Sequence, residues 1–176
     1  RREHLNDFHL NVAGEYVYDG ALYACQNDDA KQRRSKRAVW GMAAILTVAV
    51  AAGGCIPAPG MQNCFYVLLP YLGEFLGAAS VIWALAKLGM DWGTVREYNY
   101  KKSVAVLPVR TAVTAVFSGL GIVCELIFFF VNDHAGQTFF ALLYVLLKLI
   151  ALLSVLVLRA EIMQAEWDKL PKKNNF

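Results

Sequence analysis

Residues 139–158 read FFALLYVLLKLIALLSVLVL, a run of apolar side chains interrupted by one charge, Lys148. A helix needs about 20 such residues to cross the hydrocarbon core of a membrane. Three further stretches, at about 38–54, 65–88 and 104–131, are also long and apolar enough to span. We therefore expect an all-α integral membrane protein in which residues 38–158 form a bundle of four transmembrane helices.

The composition of the whole chain agrees with this architecture. Hydrophobic residues make up 57% of the 176 residues and charged residues only 18%, whereas soluble domains carry about 25% charged residues. A soluble protein of this length would lack the polar side chains to cover its surface. The composition therefore excludes a soluble globular domain and a nucleic-acid binder, and makes the lipid bilayer the expected surroundings of the chain.

The distribution of lysine and arginine predicts the orientation. Fifteen of the 17 basic residues lie in segments 1–37, 87–103 and 159–176, and none lies in the connections 55–64 and 132–138. Basic residues concentrate in the cytoplasmic segments of membrane proteins. We therefore expect both termini in the cytoplasm and a multi-pass protein in the plasma (inner) membrane. The cytoplasmic basic segments suit contact with anionic lipid.

Residues 1–37 form a predicted cytoplasmic N-terminal element. The sequences EYVY and ALYA flank Asp19-Gly20, a dipeptide favoured in type I′ hairpin turns. Alternatively, Asp19 could cap a helix that continues into the first span. We expect a small β-hairpin-like element followed by a basic helix from about Asn27.

Residues 159–176 form a predicted amphipathic cytoplasmic tail. Ile162, Met163, Trp167 and Leu170 have the spacing of one helical face, and Pro171 follows them. We expect the fourth helix to continue past the membrane surface as far as this proline.

Four ionisable residues, Glu74, Arg110, Glu125 and Lys148, lie inside the predicted spans. At 1.5 Å per helical residue, Glu74 and Lys148 are each roughly 14 Å from the outer ends of their spans. Charges in hydrocarbon are unfavourable and face a partner or water, so we expect an intramembrane charge cluster. Two acids balance two bases, which favours a structural ion pair; the alternative is a path for ions or a site for a zwitterionic ligand.

The second predicted span contains residues that favour a helix kink and close helix packing. Pro70 removes one backbone hydrogen bond in the turn before Glu74, and Gly73 and Gly77 have the small-xxx-small spacing. We expect this spacing to bring two helices of the same bundle close together, in preference to forming a dimer face.

Cys55 and Cys64 lie at the two ends of the first outer connection. An oxidising compartment outside the membrane would allow these thiols to form a disulfide. We expect this structural disulfide. The sequence has no C-x-x-C pair that would indicate thiol exchange.

The sequence contains no HExxH, GxSxG, Walker or GxGxxG motif of the kind that identifies an enzyme. We therefore expect no catalytic residue, no metal site and no cofactor. The leading hypothesis is a non-enzymatic membrane protein that binds or assembles with a membrane or cytoplasmic partner, which could be a second copy of the chain. The alternative is a small transporter or channel subunit that uses Glu74 and Lys148.

Overall fold

The computed structural model describes residues 8–10, 14, 16–18, 20–26, 28–89, 92–132 and 138–170. Four of its helices are long and apolar enough to cross a membrane. In chain order the helices are α1 (Asp29–Cys55), α2 (Pro59–Asn63), α3 (Phe65–Leu88), α4 (Glu97–Lys102), α5 (Leu107–Val131) and α6 (Thr138–Met163). The long helices are α1, α3, α5 and α6, and they cover the four spans predicted from the sequence; α5 begins three residues after the predicted start of its span.

The four long helices form a ring. Helix α1 packs against α6, α6 against α5, and α5 against α3, while α3 and α1 make a lighter contact that closes the bundle. Helices α3 and α6 therefore lie diagonally opposite each other. Short helix α2 packs against α3 and α5 at one end of the bundle, which we call the loop end.

The bundle interior contains several polar side chains beside its apolar core, and many large apolar side chains are exposed on its outside. On α5 the buried residues include Thr111, Thr114 and Ser118, whereas Val116 and Phe130 are exposed, Phe130 by 81%. Soluble proteins do not expose so many large apolar residues together, because such residues withdraw from water. The exposed apolar faces are therefore compatible with a multi-pass membrane protein.

Local sequence signals determine where the long helices begin and end. Gly89 follows α3 with a φ of 69°, a conformation that glycine adopts without steric penalty. Pro108 lies in the first turn of α5, where its missing N–H needs no partner. Asn132 follows α5, and both its backbone N–H and its side-chain amide donate to the carbonyl of Phe128.

Five short strands accompany the helices in the part of the chain that the structure describes. They are β1 (Phe8–Leu10), β2 (Tyr16–Tyr18), β3 (Leu22–Cys25), β4 (Thr94–Arg96) and β5 (Trp167–Lys169). Strands β1 and β2 pair with each other, and β3 is the central strand of an antiparallel sheet with the order β4-β3-β5. We call this second sheet the end sheet and its end of the bundle the sheet end. It joins segments that precede α1, follow α3 and follow α6.

The register of the end sheet gives it two different faces. Tyr23 lies opposite Val95, and Cys25 lies opposite Trp167; this inner face contains the buried Val95, which belongs to the apolar core. Directly opposed residues share a face of a sheet. Lys169, opposite Tyr23, also belongs to the inner face by register, and the outer sheet face carries Leu22, Ala24, Thr94, Arg96 and Asp168.

Aromatic rings attach the end sheet to the bundle. Tyr23 stacks on Tyr100 with ring centroids 4.1 Å apart, and Trp167 lies 6.2 Å from Trp92 and 6.0 Å from Tyr100. Trp92 is almost fully buried, in the same core cluster as helix residues such as Leu158. These large rings bury apolar surface, and this burial stabilises short strands that would be only marginally stable alone.

One expectation for the segments outside the bundle is wrong, and another stays a prediction. Strands β1 and β2 pair antiparallel and α1 begins at Asp29, but Asp19 lies outside the described residues, so a hairpin turn at Asp19-Gly20 stays a prediction. The tail departs from the expected helix: α6 ends at Met163, and Trp167 lies in strand β5. In the tail, pairing with β3 and packing of Trp167 against Trp92 and Tyr100 outweigh the local pattern.

The predicted disulfide is also wrong, because Cys55 and Cys64 are free thiols in the structure. Cys55 ends α1 and Cys64 immediately precedes α3. These helices have their main contacts with α6 and α5, respectively, and touch each other only lightly. The connection between them folds inward as α2, with Pro59 and Gly60 buried, so packing of the loop and not a covalent bond fixes its shape.

Candidate functional site

An ion pair between Glu74 and Lys148 lies at the centre of the bundle. Lys148 Nζ donates to Glu74 Oε2; Glu74 is 0% exposed and Lys148 is 2% exposed. Each residue is nine or ten residues from the loop-end start of its helix, a depth of about 14–15 Å. The pair joins α3 to the diagonally opposite helix α6, so it connects two helices that share little other contact.

Two tyrosine rings enclose the lysine. Lys148 Nζ lies 4.6 Å from the ring centroid of Tyr71 and 5.2 Å from that of Tyr144, distances at which the ring faces attract a cation. The Tyr71 hydroxyl donates to the carbonyl of Val50 on α1 at 3.3 Å. Gly54 makes room for this hydroxyl, because a Cβ at position 54 would collide with it.

Sequence reasoning missed both tyrosines, although a signal for them was present. Tyr71 precedes Glu74 by three residues, and Tyr144 precedes Lys148 by four. Residues three or four apart share one face of a helix. Each tyrosine therefore lies on the same face as the charge on its own helix.

Two small residues of helix α5 contact Lys148. The Lys148 side chain lies against Gly121, where an added Cβ would be 3.6 Å from both Cε and Nζ. One turn earlier, the Ser118 hydroxyl donates to the Lys148 carbonyl at 3.3 Å. Because Gly121 has no side chain, Lys148 has room beside α5 to reach Glu74 on the opposite helix.

Glu125 does not join the pair. It is 0% exposed on α5, one turn beyond Gly121, and neither of its carboxylate oxygens has a hydrogen-bond partner among the described residues. The backbone amide of Gly60 faces the carboxylate, without the geometry of a hydrogen bond. A Cβ at Gly60 would collide with Oε2 of Glu125, so α2 closes directly over this acid.

Arg110 also lies apart from the predicted cluster. Its Nη1 donates to the carbonyl of Ser80 on α3 at 2.6 Å. Ser80 is six residues beyond Glu74, or about 9 Å along the helix toward the sheet end. The structure therefore divides the four predicted residues into one ion pair, one arginine bound to a backbone carbonyl and one acid without a hydrogen bond.

Gly73 and Gly77 lie at the contact between α3 and α5. A Cβ at Gly73 would be 2.5 Å from the Phe117 ring, and one at Gly77 would be 2.5 Å from Oγ1 of Thr114. Pro70 is buried in the same helix, one turn before Glu74. The spacing of the two glycines thus places α3 close against α5 within a single bundle.

The remaining polar features lie where α1 and α6 meet at the sheet end. The Ser35 hydroxyl donates to Glu161 Oε2 at 2.9 Å, beside a cavity of about 270 Å³ that Lys31 and Arg34 also line. On another side of α1, Arg33, Lys36, Arg37 and Trp40 line an open groove of about 280 Å³.

The buried charges can stabilise a helix packing or hold a small ion, and the described residues contain no group of three or more His, Cys, Asp or Glu placed to hold a metal. Comparison of the chain with protein-family models, with curated proteins and with solved structures finds no match.

Proposed function

We propose that this chain is a non-enzymatic integral membrane protein that acts by binding a protein partner at the outer sheet face. Both termini and the end sheet lie on the cytoplasmic side of the plasma membrane in this proposal. The observation that supports it is the end sheet itself, which brings together three segments far apart in the chain.

Ordering these segments is entropically unfavourable, and a simple connection between spans does not require it. The outer sheet face combines the basic Arg96 and the acidic Asp168 with the small Thr94 and Ala24. A mixed polar face of this kind suits a protein surface better than lipid tails. Strands β4 and β5 are the edges of the sheet, and edge strands offer backbone groups to an added strand.

Anionic lipid is the second partner in this proposal. Arg33, Lys36 and Arg37 lie within the two turns before Trp40 on α1 and line the same groove. Tryptophan favours the headgroup level of a membrane, and lysine and arginine near the surface attract anionic headgroups. This arrangement would anchor α1 at the cytoplasmic surface beside the end sheet.

A photoreactive amino acid at Thr94 tests the protein partner. Placed on the outer sheet face, it should form a discrete adduct with a second protein in intact cells. The matched control is the same photoreactive residue at Val116, which is 61% exposed on the apolar outside of α5 and should contact lipid. Absence of an adduct at Thr94, or identical adducts from both positions, would contradict the proposal.

A small transporter or channel subunit is the second candidate, and the Glu125 carboxylate favours it, because buried acids in membrane proteins often serve ion movement. The two functions differ in what Glu74 and Lys148 do. In an assembly protein their charges stabilise the bundle together, whereas in a transporter each charge would be solvated separately in a wet cavity.

A further inference from the structure

Glu125 is the buried ionisable residue that remains after Glu74 and Lys148 have paired. Among the described residues, Lys148 is the only lysine or arginine that is buried, whereas two acids, Glu74 and Glu125, are completely buried. Because one ammonium neutralises one carboxylate, an ionised Glu125 would leave one excess negative charge among these fully buried side chains.

The geometry around Glu125 offers this negative charge little compensation. Neither carboxylate oxygen accepts a hydrogen bond from the described residues. The backbone amide of Gly60, in the short helix that closes the loop end, faces the carboxylate without the geometry of a hydrogen bond. Isolated ionised carboxylates are strongly disfavoured in apolar surroundings, where such a group takes up a proton instead.

Among the described residues, the titratable groups around the carboxylate add no free cation. Tyr66 on α3 and Tyr144 on α6 lie close enough to interact electrostatically with Glu125. Cys64 and Cys124 lie beside Tyr66, and Glu74, which is paired with Lys148, lies near Tyr144. Helix α2, with the sequence PGMQN, has no titratable side chain. The Tyr144 hydroxyl is also buried and has no hydrogen-bond partner among the described residues, so a protonated carboxyl at Glu125 finds neutral polar neighbours.

We propose that Glu125 is an exchangeable proton-binding site, occupied by a proton while Glu74 and Lys148 remain an ion pair. The site is six residues from the end of α5, or about 9 Å from the loop end. Gly60 lies between the carboxyl and that surface, so the proton exchanges with solvent past α2. The role goes beyond partner binding, since it concerns an internal group far from the end sheet.

Dicyclohexylcarbodiimide tests the proposal, because this apolar reagent adds to protonated carboxyl groups buried in membranes and spares ionised ones. The unaltered chain in detergent or lipid should take up one reagent at Glu125, located by peptide mass spectrometry. Labelling should decrease as the pH rises. Because the label is mapped on the unaltered chain, the result does not depend on whether a variant folds.

Two variants that change the number of buried acids and bases test which glutamate carries the proton. In Lys148→Met, Glu74 loses its cation, so both Glu74 and Glu125 should be labelled. In Glu74→Gln, the Lys148 ammonium, which already lies against Gly121 one turn from Glu125, becomes available to Glu125, and labelling should fall at least tenfold. Elution in size-exclusion chromatography like that of the unaltered chain is the fold control.

Infrared spectroscopy supplies an independent measurement. The unaltered protein at neutral pH should show the carbonyl stretch of a protonated carboxylic acid, and Glu125→Gln should remove it. The proposal is overturned if the unaltered chain lacks this band, if the reagent labels Glu74 in preference to Glu125, or if labelling in Glu74→Gln equals that of the unaltered chain.

Discussion

The four ionisable residues of the spans show how the position of each side chain decides what its charge does. Lys148 meets Glu74 because both lie at one depth on diagonal helices, and Tyr71 and Tyr144 close around the ammonium. Arg110 lies nearer the sheet end and binds a backbone carbonyl. Burial of a paired charge gives little net stability, whereas loss of one partner leaves the other charge without compensation.

Removal of one member of the pair should therefore be more damaging than removal of both. Glu74→Gln and Lys148→Met should each lower the free energy of unfolding, Lys148→Met by about 3–5 kcal/mol and Glu74→Gln by less, because the Lys148 ammonium can then approach Glu125. The double variant should recover most of that loss, because no uncompensated charge remains. Thermal unfolding in detergent of the four proteins measures the coupling. Independent effects of the two substitutions would count against an assembly protein and favour a wet transport site.

At the scale of elements, the contact between α3 and α5 depends on two glycines. Gly73 and Gly77 face Phe117 and Thr114 so closely that an added methyl group has no room. Helix association in a membrane relies on this kind of close packing, because lipid tails provide no hydrophobic driving force between helices. By contrast, Gly119 on α5 has no neighbour within 4 Å of a built Cβ.

Gly73→Ala should therefore destabilise the bundle, while Gly119→Ala serves as its matched control. The new methyl group at position 73 would overlap the Phe117 ring, and overpacking of this kind costs about 1–3 kcal/mol. Alanine at position 119 fills open space and has the better helix propensity, so stability should be unchanged or rise by up to about 1 kcal/mol. Midpoints of thermal unfolding in one detergent compare the two variants; an equal decrease in both would disprove the packing argument.

At the scale of the whole molecule, the ends of the bundle differ in charge and structure. The sheet end carries the basic start of α1 together with Arg96, Lys101 and Lys102, whereas α2 at the loop end has no charged residue. The asymmetry is the one that basic residues produce in membrane proteins of known orientation. We therefore propose that the sheet end is cytoplasmic.

Thiol labelling in sealed cells tests this orientation. In a background with all four native cysteines changed to serine, Gln62→Cys, at an exposed position of α2, should react with an impermeant maleimide. Thr94→Cys on the exposed outer sheet face should react only after the cells are permeabilised. The opposite pattern would invert the topology and place the end sheet outside the cell.

The sequence by itself determined the four long helices, because a run of about 20 apolar residues is a local property that does not depend on the rest of the chain. It also identified the four ionisable residues in the spans and the close-packing glycines, since each is recognisable from its neighbours. Only the tertiary structure decided how these residues combine. The order of the helices around the ring placed α3 opposite α6, so that Glu74 met Lys148 while Glu125 did not. Tertiary packing likewise kept Cys55 apart from Cys64 and drew Trp167 into a strand beside β3. Contacts between residues far apart in the chain decide such outcomes, and a local pattern such as the helical stripe of the tail carries no information about them.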